Sequence, residues 1–434
     1  MEKKIFAGSV VTSESFERLK VYDRRFVTVE DGIIEGIYED RTDIPDSFRH
    51  VPVSDYGTDI IIPSFSDLHI HAPQYAERGV GMDCLLFDWL NNYTFPQESK
   101  FSDREYAKVI YAQVIRDLIR NGTTQVNLFS TIHRESDDLL FDMLKKSGIY
   151  AYSGKINMDM NSPDYYVETT EASLYETEKF LSEHPFDARR RVKPILIPRF
   201  APTCSEKLLK GLGDLGKKYR VGLHTHLVES KAEAAWAREL FPQYRSDGRI
   251  YEECGLLEGG VNIFAHVIFP TDTEYRILKD YNCISVHCPD ATTNITAGIM
   301  PATDLIKAGL NVSIGTDVGG GHFMGIYRQI GRAVQLSKMK EFYEEGYDRL
   351  LFANAFYMAT VNGGSAFGKI GRIEPGYRFN ALVLSGMQDR GYRLPVIECV
   401  ERFCYIGDDR NISHRFVDGK ELDSEKVFSS LLEI

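Results

Sequence analysis

At 434 residues, 43% hydrophobic and 26% charged, the chain has ordinary globular composition, room for one large domain plus a smaller module, and none for extended disorder. The formal net charge of −12 argues against a nucleic-acid or anionic-membrane partner, and no apolar stretch approaches the length of a membrane span. Seven scattered cysteines without a Cys-x-x-Cys, and only a short mixed run (5–11) before Ser13-Glu14-Ser15, predict reduced thiols in a cytoplasmic protein without a signal peptide.

In chain order, residues 1–62 alternate short apolar runs with turns: 5–11, 26–29, 33–37 and 60–62. Asp31-Gly32 between two of these runs is a hairpin signal. From Pro63 the rhythm becomes strand then helix. Strands are predicted at 64–71, 123–129, 150–158, 192–200, 221–227, 261–269, 283–288 and 311–316. Helical patterns separate them. Ser102-Asp103-Arg104-Glu105 has capping-box form, and Tyr106, Ile110, Val114 and Leu118 follow at i+4 spacing to a stop at Asn121-Gly122. Helices are also expected at 205–219, 231–240, 301–308 and 323–342. After Pro375 short strand runs return, at 381–384 and 396–399.

Eight strands alternating with helices predict an α/β fold: a (β/α)8 barrel over 63–375, with a small β-sandwich domain built from 1–62 and 376–434. A doubly wound sheet is the structural alternative, but no glycine fingerprint follows the first strand.

Barrel active sites lie at the C-terminal ends of the strands. His69 and His71 end the first strand, His226 the fifth, His266 the sixth and Asp317 the eighth. In His69-Ile70-His71 the i and i+2 side chains leave one strand on the same face, within reach of a single ion. One histidine alone would be a core or surface residue; these five at one barrel face describe a metallohydrolase. His69, His71, His226 and Asp317 are the expected ligands, with His266 near an activated water, and zinc is the ion such donors suit. Iron(II) suits them as well. His224 shares its face with His226, and spacing alone does not reject it; His226 is preferred because only it has Glu229 at +3. Glu229 sits where a carboxylate can shuttle a proton without ligating, although a glutamate at a helix start is also favoured by the dipole. A second ion would need a bridging carboxylate or modified lysine at the end of strand four. That strand ends Ile197-Pro198-Arg199-Phe200, with Lys193 at its other end, so one metal per chain is expected. His133, His287 and His322 read as supporting residues, and His50, His184 and His414 as surface residues. Trp89, in the first strand-to-helix loop, is either pocket wall or loop packing.

The metal pattern resembles the amidohydrolase superfamily and, within it, the guanine deaminases. The resemblance spans nearly the whole chain. It rests on His69-Ile70-His71-Ala72-Pro73-Gln74-Tyr75, Trp89-Leu90-Asn91-Asn92-Tyr93-Thr94-Phe95-Pro96, Val192-Lys193-Pro194-Ile195-Leu196-Ile197-Pro198-Arg199-Phe200, Asn121-Gly122-Thr123-Thr124 and Gly315-Thr316-Asp317-Val318. It implies hydrolysis of guanine to xanthine and ammonia, with one zinc on His69, His71, His226 and Asp317. By the same resemblance, Glu229 and Asp317 move protons and His266 orients the water, while Gln74, Arg199 and Phe200 contact the purine. A homodimer is implied by the resemblance alone. One departure is the segment His287-Cys288-Pro289-Asp290-Ala291-Thr292-Thr293-Asn294, where the family usually continues His-Cys-Pro with Ser-Asn. Gly319-Gly320-Gly321 predicts a loop with extra freedom after the aspartate. The alternative on the same site is a deaminase of another amino-heterocycle: a pterin, a modified guanine or a triazine.

Overall fold

The structure is a computed structural model and describes residues 2–388 and 391–434. Two four-stranded parallel sheets form its centre. The first runs in the order β1 (Phe65–His71), β2 (Thr123–Phe129), β3 (Tyr150–Gly154), β4 (Val192–Pro194); the second is β5 (Leu223–Leu227), β6 (Asn262–His266), β7 (Ile284–His287), β8 (Asn311–Ile314). Backbone hydrogen bonds continue across both gaps between the sheets. His224 N–H donates to Leu196 O at 2.9 Å between β4 and β5, and Asp317 N–H donates to His69 O at 2.8 Å between β8 and β1. β1, β2 and β3 are buried along their whole length, so their sequences show no alternation of buried and exposed residues.

Helices pack outside. Helix Arg104–Arg120 is capped by Asp103, whose side chain accepts from the backbone N–H groups of Glu105 and Tyr106. The cap is therefore one residue later than the Ser102 signal indicated, because Asp103 is the residue with extended backbone at the helix entry. Ser205 and Ser230 cap Glu206–Tyr219 and Lys231–Leu240, and the latter helix has the predicted bounds.

Strands from both chain ends pair in one sheet. Where a sandwich was predicted, seven strands form a single mixed sheet in the order Lys420–Glu421, Ile412–Val417, Ala381–Leu384, Val53–Pro63, Lys3–Ser13, Leu19–Glu30, Ile33–Tyr38. The hairpin between the last two turns at Asp31-Gly32, as predicted, with φ of 48° and 85°. Phe6, Phe379 and Phe416 anchor its core, with the Phe6 and Phe379 rings stacked at 4.2 Å. The run at 396–399 is not a strand. It opens helix Val396–Ile406, which buries Cys399, Val400, Phe403 and Cys404 on one face. No described helix is long and apolar enough to cross a membrane.

Candidate active site

The strand ends bring the predicted residues to one place. His69 and His71 end β1 and point the same way: His69 Nε2 lies 3.2 Å and His71 Nε2 3.3 Å from Asp317 Oδ1. His226 Nε2 is 3.3 Å from His71 Nε2, and His266 Nε2 is 3.7 Å from Asp317 Oδ2 and 3.2 Å from Glu229 Oε1. All are buried. Burial pulls the His71 imidazole down to about 4 and His266 to about 3, and holds His226 well below its ordinary value, so these three favour the neutral form in which imidazole binds a metal.

The backbone is strained where these groups sit. His266 and Asp317 have φ of 74° and 49°, and Val228 and Val267 are also in the left-handed region. Non-glycine residues reach that region at a cost of order 1–3 kcal/mol each, and such positions cluster at active sites.

Hydrogen bonds to the remaining ring nitrogens separate His226 from His224. His226 Nδ1 lies 2.6 Å from Arg199 O, so it carries the proton and leaves Nε2 with a free lone pair aimed at the cluster. His224 Nε2 lies 2.8 Å from His69 Nδ1, behind the cluster. His224 thus contacts His69, whereas His226 Nε2 faces the cluster beside His71. Phe129, at the end of β2, packs against four of the imidazoles, 4.4 Å from His224 and 4.5 Å from His71 between ring centroids. Asp67 ties β1 to β8 below them, accepting from the N–H of Thr316 at 3.0 Å and of His69 at 3.2 Å.

Asp317 and Glu229 are pushed in opposite directions. Burial would raise Asp317, but the His69, His71 and His266 imidazoles crowded around its carboxylate hold it well below the carboxylate range. Burial, with Glu233 and Asp317 nearby, drives Glu229 well above it. The Glu229 backbone N–H is held by Glu233 Oε2 at 2.6 Å, which fixes the bend between β5 and the next helix.

A cleft opens onto this cluster. His71, His226, Glu229 and Asp317 line it together with Gln74, Trp89, Arg199, Phe200 and Gly320. Every residue expected to touch substrate therefore lines one cleft. Trp89 serves both of its readings: its ring walls the cleft while Nε1 donates to Val80 O at 3.1 Å. Sequence reasoning missed Glu98. Fully buried, it receives Arg199 Nη1 at 2.6 Å and Gln74 Nε2 at 2.7 Å. No spacing rule marks it; only its place directly after Phe95-Pro96-Gln97 could have.

Of the histidines read as supporting, His287 is buried at the end of β7 and His322 lies 3.0 Å from Asn294 Nδ2. Of those read as surface residues, His184 is half-buried against Phe141 and Asp138. Asp290 turns away from the cleft toward helix Ile326–Tyr343, where it accepts from Gln329 at 2.7 Å and Arg332 at 2.9 Å. Asn294 instead ties down the glycine loop, donating to Gly320 O at 2.7 Å. That loop is not loose. A Cβ at Gly321 would lie 1.9 Å from Thr316 O and one at Gly319 2.8 Å from Gln74 O, so glycine is needed here for close approach.

The donor set fits a metal ion. His69 Nε2 and both nitrogens of His266 are buried and make no hydrogen bond, an expensive condition unless an external partner supplies one. Buried triads of His69, His71 and Asp317, of His69, His226 and His266, and of Glu229, His266 and Asp317 each bring ligand atoms within 4.8 Å of one another.

Comparison with known proteins agrees with this arrangement. The amidohydrolase family pattern matches residues 60–422. Guanine deaminase of Dictyostelium discoideum is 31% identical over 96% of this chain and 98% of its own, and that of Rattus norvegicus 34% over 84% and 83%. The crystal structure of guanine deaminase from C. acetobutylicum, with guanine bound in its active site, superposes with a TM-score of 0.93 at 41% identity, covering 97% of this chain and all of that one. The chain belongs to the amidohydrolase family, in its guanine deaminase branch.

Proposed function

We propose that the enzyme hydrolyses guanine to xanthine and ammonia at the cleft between Arg199 and the histidine cluster. The observation that carries this reading is that one cleft joins a metal-type donor set to Glu229 and to the fixed donors of Arg199 and Gln74. In our reading His69, His71, His226 and Asp317 hold a single zinc ion. The partnerless nitrogens support the set, and Arg199 at the end of the fourth strand segment leaves no bridging carboxylate there for a second ion. Iron(II) is the other ion these donors suit. When bound, the ion would supply Lewis acidity that makes hydroxide available from water near neutral pH.

The chain's own groups do the rest. Arg199 offers only N–H donors, which suit the purine carbonyl oxygen, and Phe200 and Trp89 wall the ring. His266 orients the attacking water. Asp317, held ionised, accepts its proton, and Glu229, held protonated, delivers one to the ring nitrogen beside the carbon bearing the amino group. After addition of hydroxide, Asp317 passes its proton to the amino nitrogen and Glu229 takes the proton of the new hydroxyl, so ammonia leaves, the carbonyl of xanthine forms and both carboxyl groups return to their starting states. Two carboxyl groups whose surroundings push their proton affinities apart form a ready acid–base pair.

In the same reading the eight parallel strands close a (β/α)8 barrel over 63–375, and residues 1–62 and 376–434 form the second domain; the hydrogen bonds across both sheet gaps support closure. A cytoplasmic homodimer is proposed, the compartment supported by seven free cysteines.

The test is a purine and pterin panel assayed for ammonia, with metal measured on the same sample. Guanine should exceed adenine by about 10⁴-fold in kcat/KM, because an amino group facing Arg199 leaves a charged donor unpaired. Comparable efficiency on adenine, or a pterin that beats guanine, would overturn the substrate while leaving the aminohydrolase chemistry.

A further inference from the structure

The Glu98 carboxylate has one oxygen on Arg199 and the other on Gln74, and none of the three side chains is more than slightly exposed. A glutamine amide presents a donor end and an acceptor end that differ only in orientation. Here both ends are committed. Nε2 donates to Glu98 Oε1 at 2.7 Å, and Oε1 accepts the Gly319 N–H at 3.1 Å. Turning the amide over would set its oxygen against a carboxylate and its N–H groups against another N–H, so it has one allowed orientation. The nitrogen end is also the end shared with Arg199, since both groups sit on the same carboxylate.

We propose that Glu98 is a positioning residue that sets specificity: it joins the Gln74 amide nitrogen and the Arg199 guanidinium into an adjoining pair of donors facing the cleft. The substrate edge that meets them must then carry two acceptors side by side, as the carbonyl oxygen and a bare ring nitrogen of guanine do. This makes Gln74 a discriminator like Arg199, whereas a free glutamine would tolerate either polarity. The Arg199 guanidinium also lies over the Phe95 ring, 5.2 Å from its centroid, and Phe95 and Glu98 belong to one short helix, so the clamp is built from a single turn. The charge of Arg199 opposes the effect of burial and keeps the Glu98 carboxyl below its usual range, hence ionised and acceptor-only. The proposal rests on the purine reading above.

The test compares guanine with 2-aminopurine, which keeps the reacting amino group and lacks the carbonyl. In Glu98→Gln, an amide at this position must set an N–H against Arg199 or against Gln74. Its kcat/KM on guanine should fall about 10- to 100-fold, the size of a hydrogen bond to a charged group, chiefly through KM. The loss on 2-aminopurine, which has no carbonyl to misplace, should be clearly smaller and metal content should be retained, so the preference for guanine narrows. The double exchange Gln74→Glu with Glu98→Gln restores pairing between the two positions but removes the donor from the cleft. It should retain metal and still lose the preference, and it decides the matter if the single variant does not fold. Equal losses on both substrates, or a preserved guanine preference in the double exchange, overturn the proposal. A parent enzyme that releases no ammonia from guanine overturns the functional reading, and this one with it. A parent that discriminates and a double exchange that still does overturns this one alone.

Discussion

Two buried polar clusters stand within one cleft and are satisfied in opposite ways. Around Glu98 the principal polar contacts close within the protein: Arg199 and Gln74 donate to its carboxylate, and Gly319 donates to Gln74. Around Asp317 they do not close: His69 Nε2 and both His266 nitrogens are buried without a hydrogen bond. A closed cluster is rigid and reads a ligand by its fixed polarity; an open one stores unmet demand for a partner from outside. In the proposed reading the difference separates the part that recognises from the part that reacts.

The sharpest way to break the comparison is to deny the open cluster its partner. Exhaustive chelation should abolish turnover and lower the thermal midpoint, and stoichiometric zinc should restore both, because an ion that binds only the folded form stabilises it by mass action. Elemental analysis should give one ion per chain; two would show that the open cluster is larger than His69, His71, His226 and Asp317.

A smaller effect is expected at the junction of the two clusters. Glu229→Gln keeps size and hydrogen-bonding capacity but cannot carry the proton, so kcat should fall about 10²–10⁴-fold with metal retained. Turnover near the parent rate in single-turnover assays would remove Glu229 from the proton path.

The finest division lies inside the histidines. If His226 is a ligand as proposed, His226→Ala should strip the ion. His224→Ala removes only the group behind His69, and such supporting partners are worth about 10–100-fold in metal affinity. Titration with a zinc indicator ranks the two; the reverse order would exchange their roles.

The members of the open cluster were legible in the sequence; of the closed one, Gln74 and Arg199 were named and Glu98, which joins them, was not. His69-Ile70-His71 is readable because side-chain period two places both imidazoles on one face, and Asp317 because it follows an apolar strand run. Glu98 meets Arg199 across 101 residues of sequence, and that proximity depends on the whole arrangement of strands and loops. His224 and His226 have the same spacing signature, and only their partners, His69 and the Arg199 carbonyl, distinguish them. Helix Val396–Ile406 was misread for a different reason: its first four residues look like a strand, whereas Val396, Cys399, Val400, Phe403 and Cys404 follow helical spacing once the window is lengthened. The glycine run after Asp317 reads as freedom in sequence and is tight packing in space.

Arg199 takes part in both clusters through different atoms. Its carbonyl fixes the tautomer of His226, and its guanidinium belongs to the clamp with Glu98. Every amino acid has the carbonyl, so a substitution at this position leaves the hold on His226 in place while rewriting what the cleft recognises. In the proposed reading, the half that would hold the metal is thereby insulated from change in the recognition half. A lineage can exchange one heterocycle for another here, step by step, without passing through an ancestor that has lost its ion.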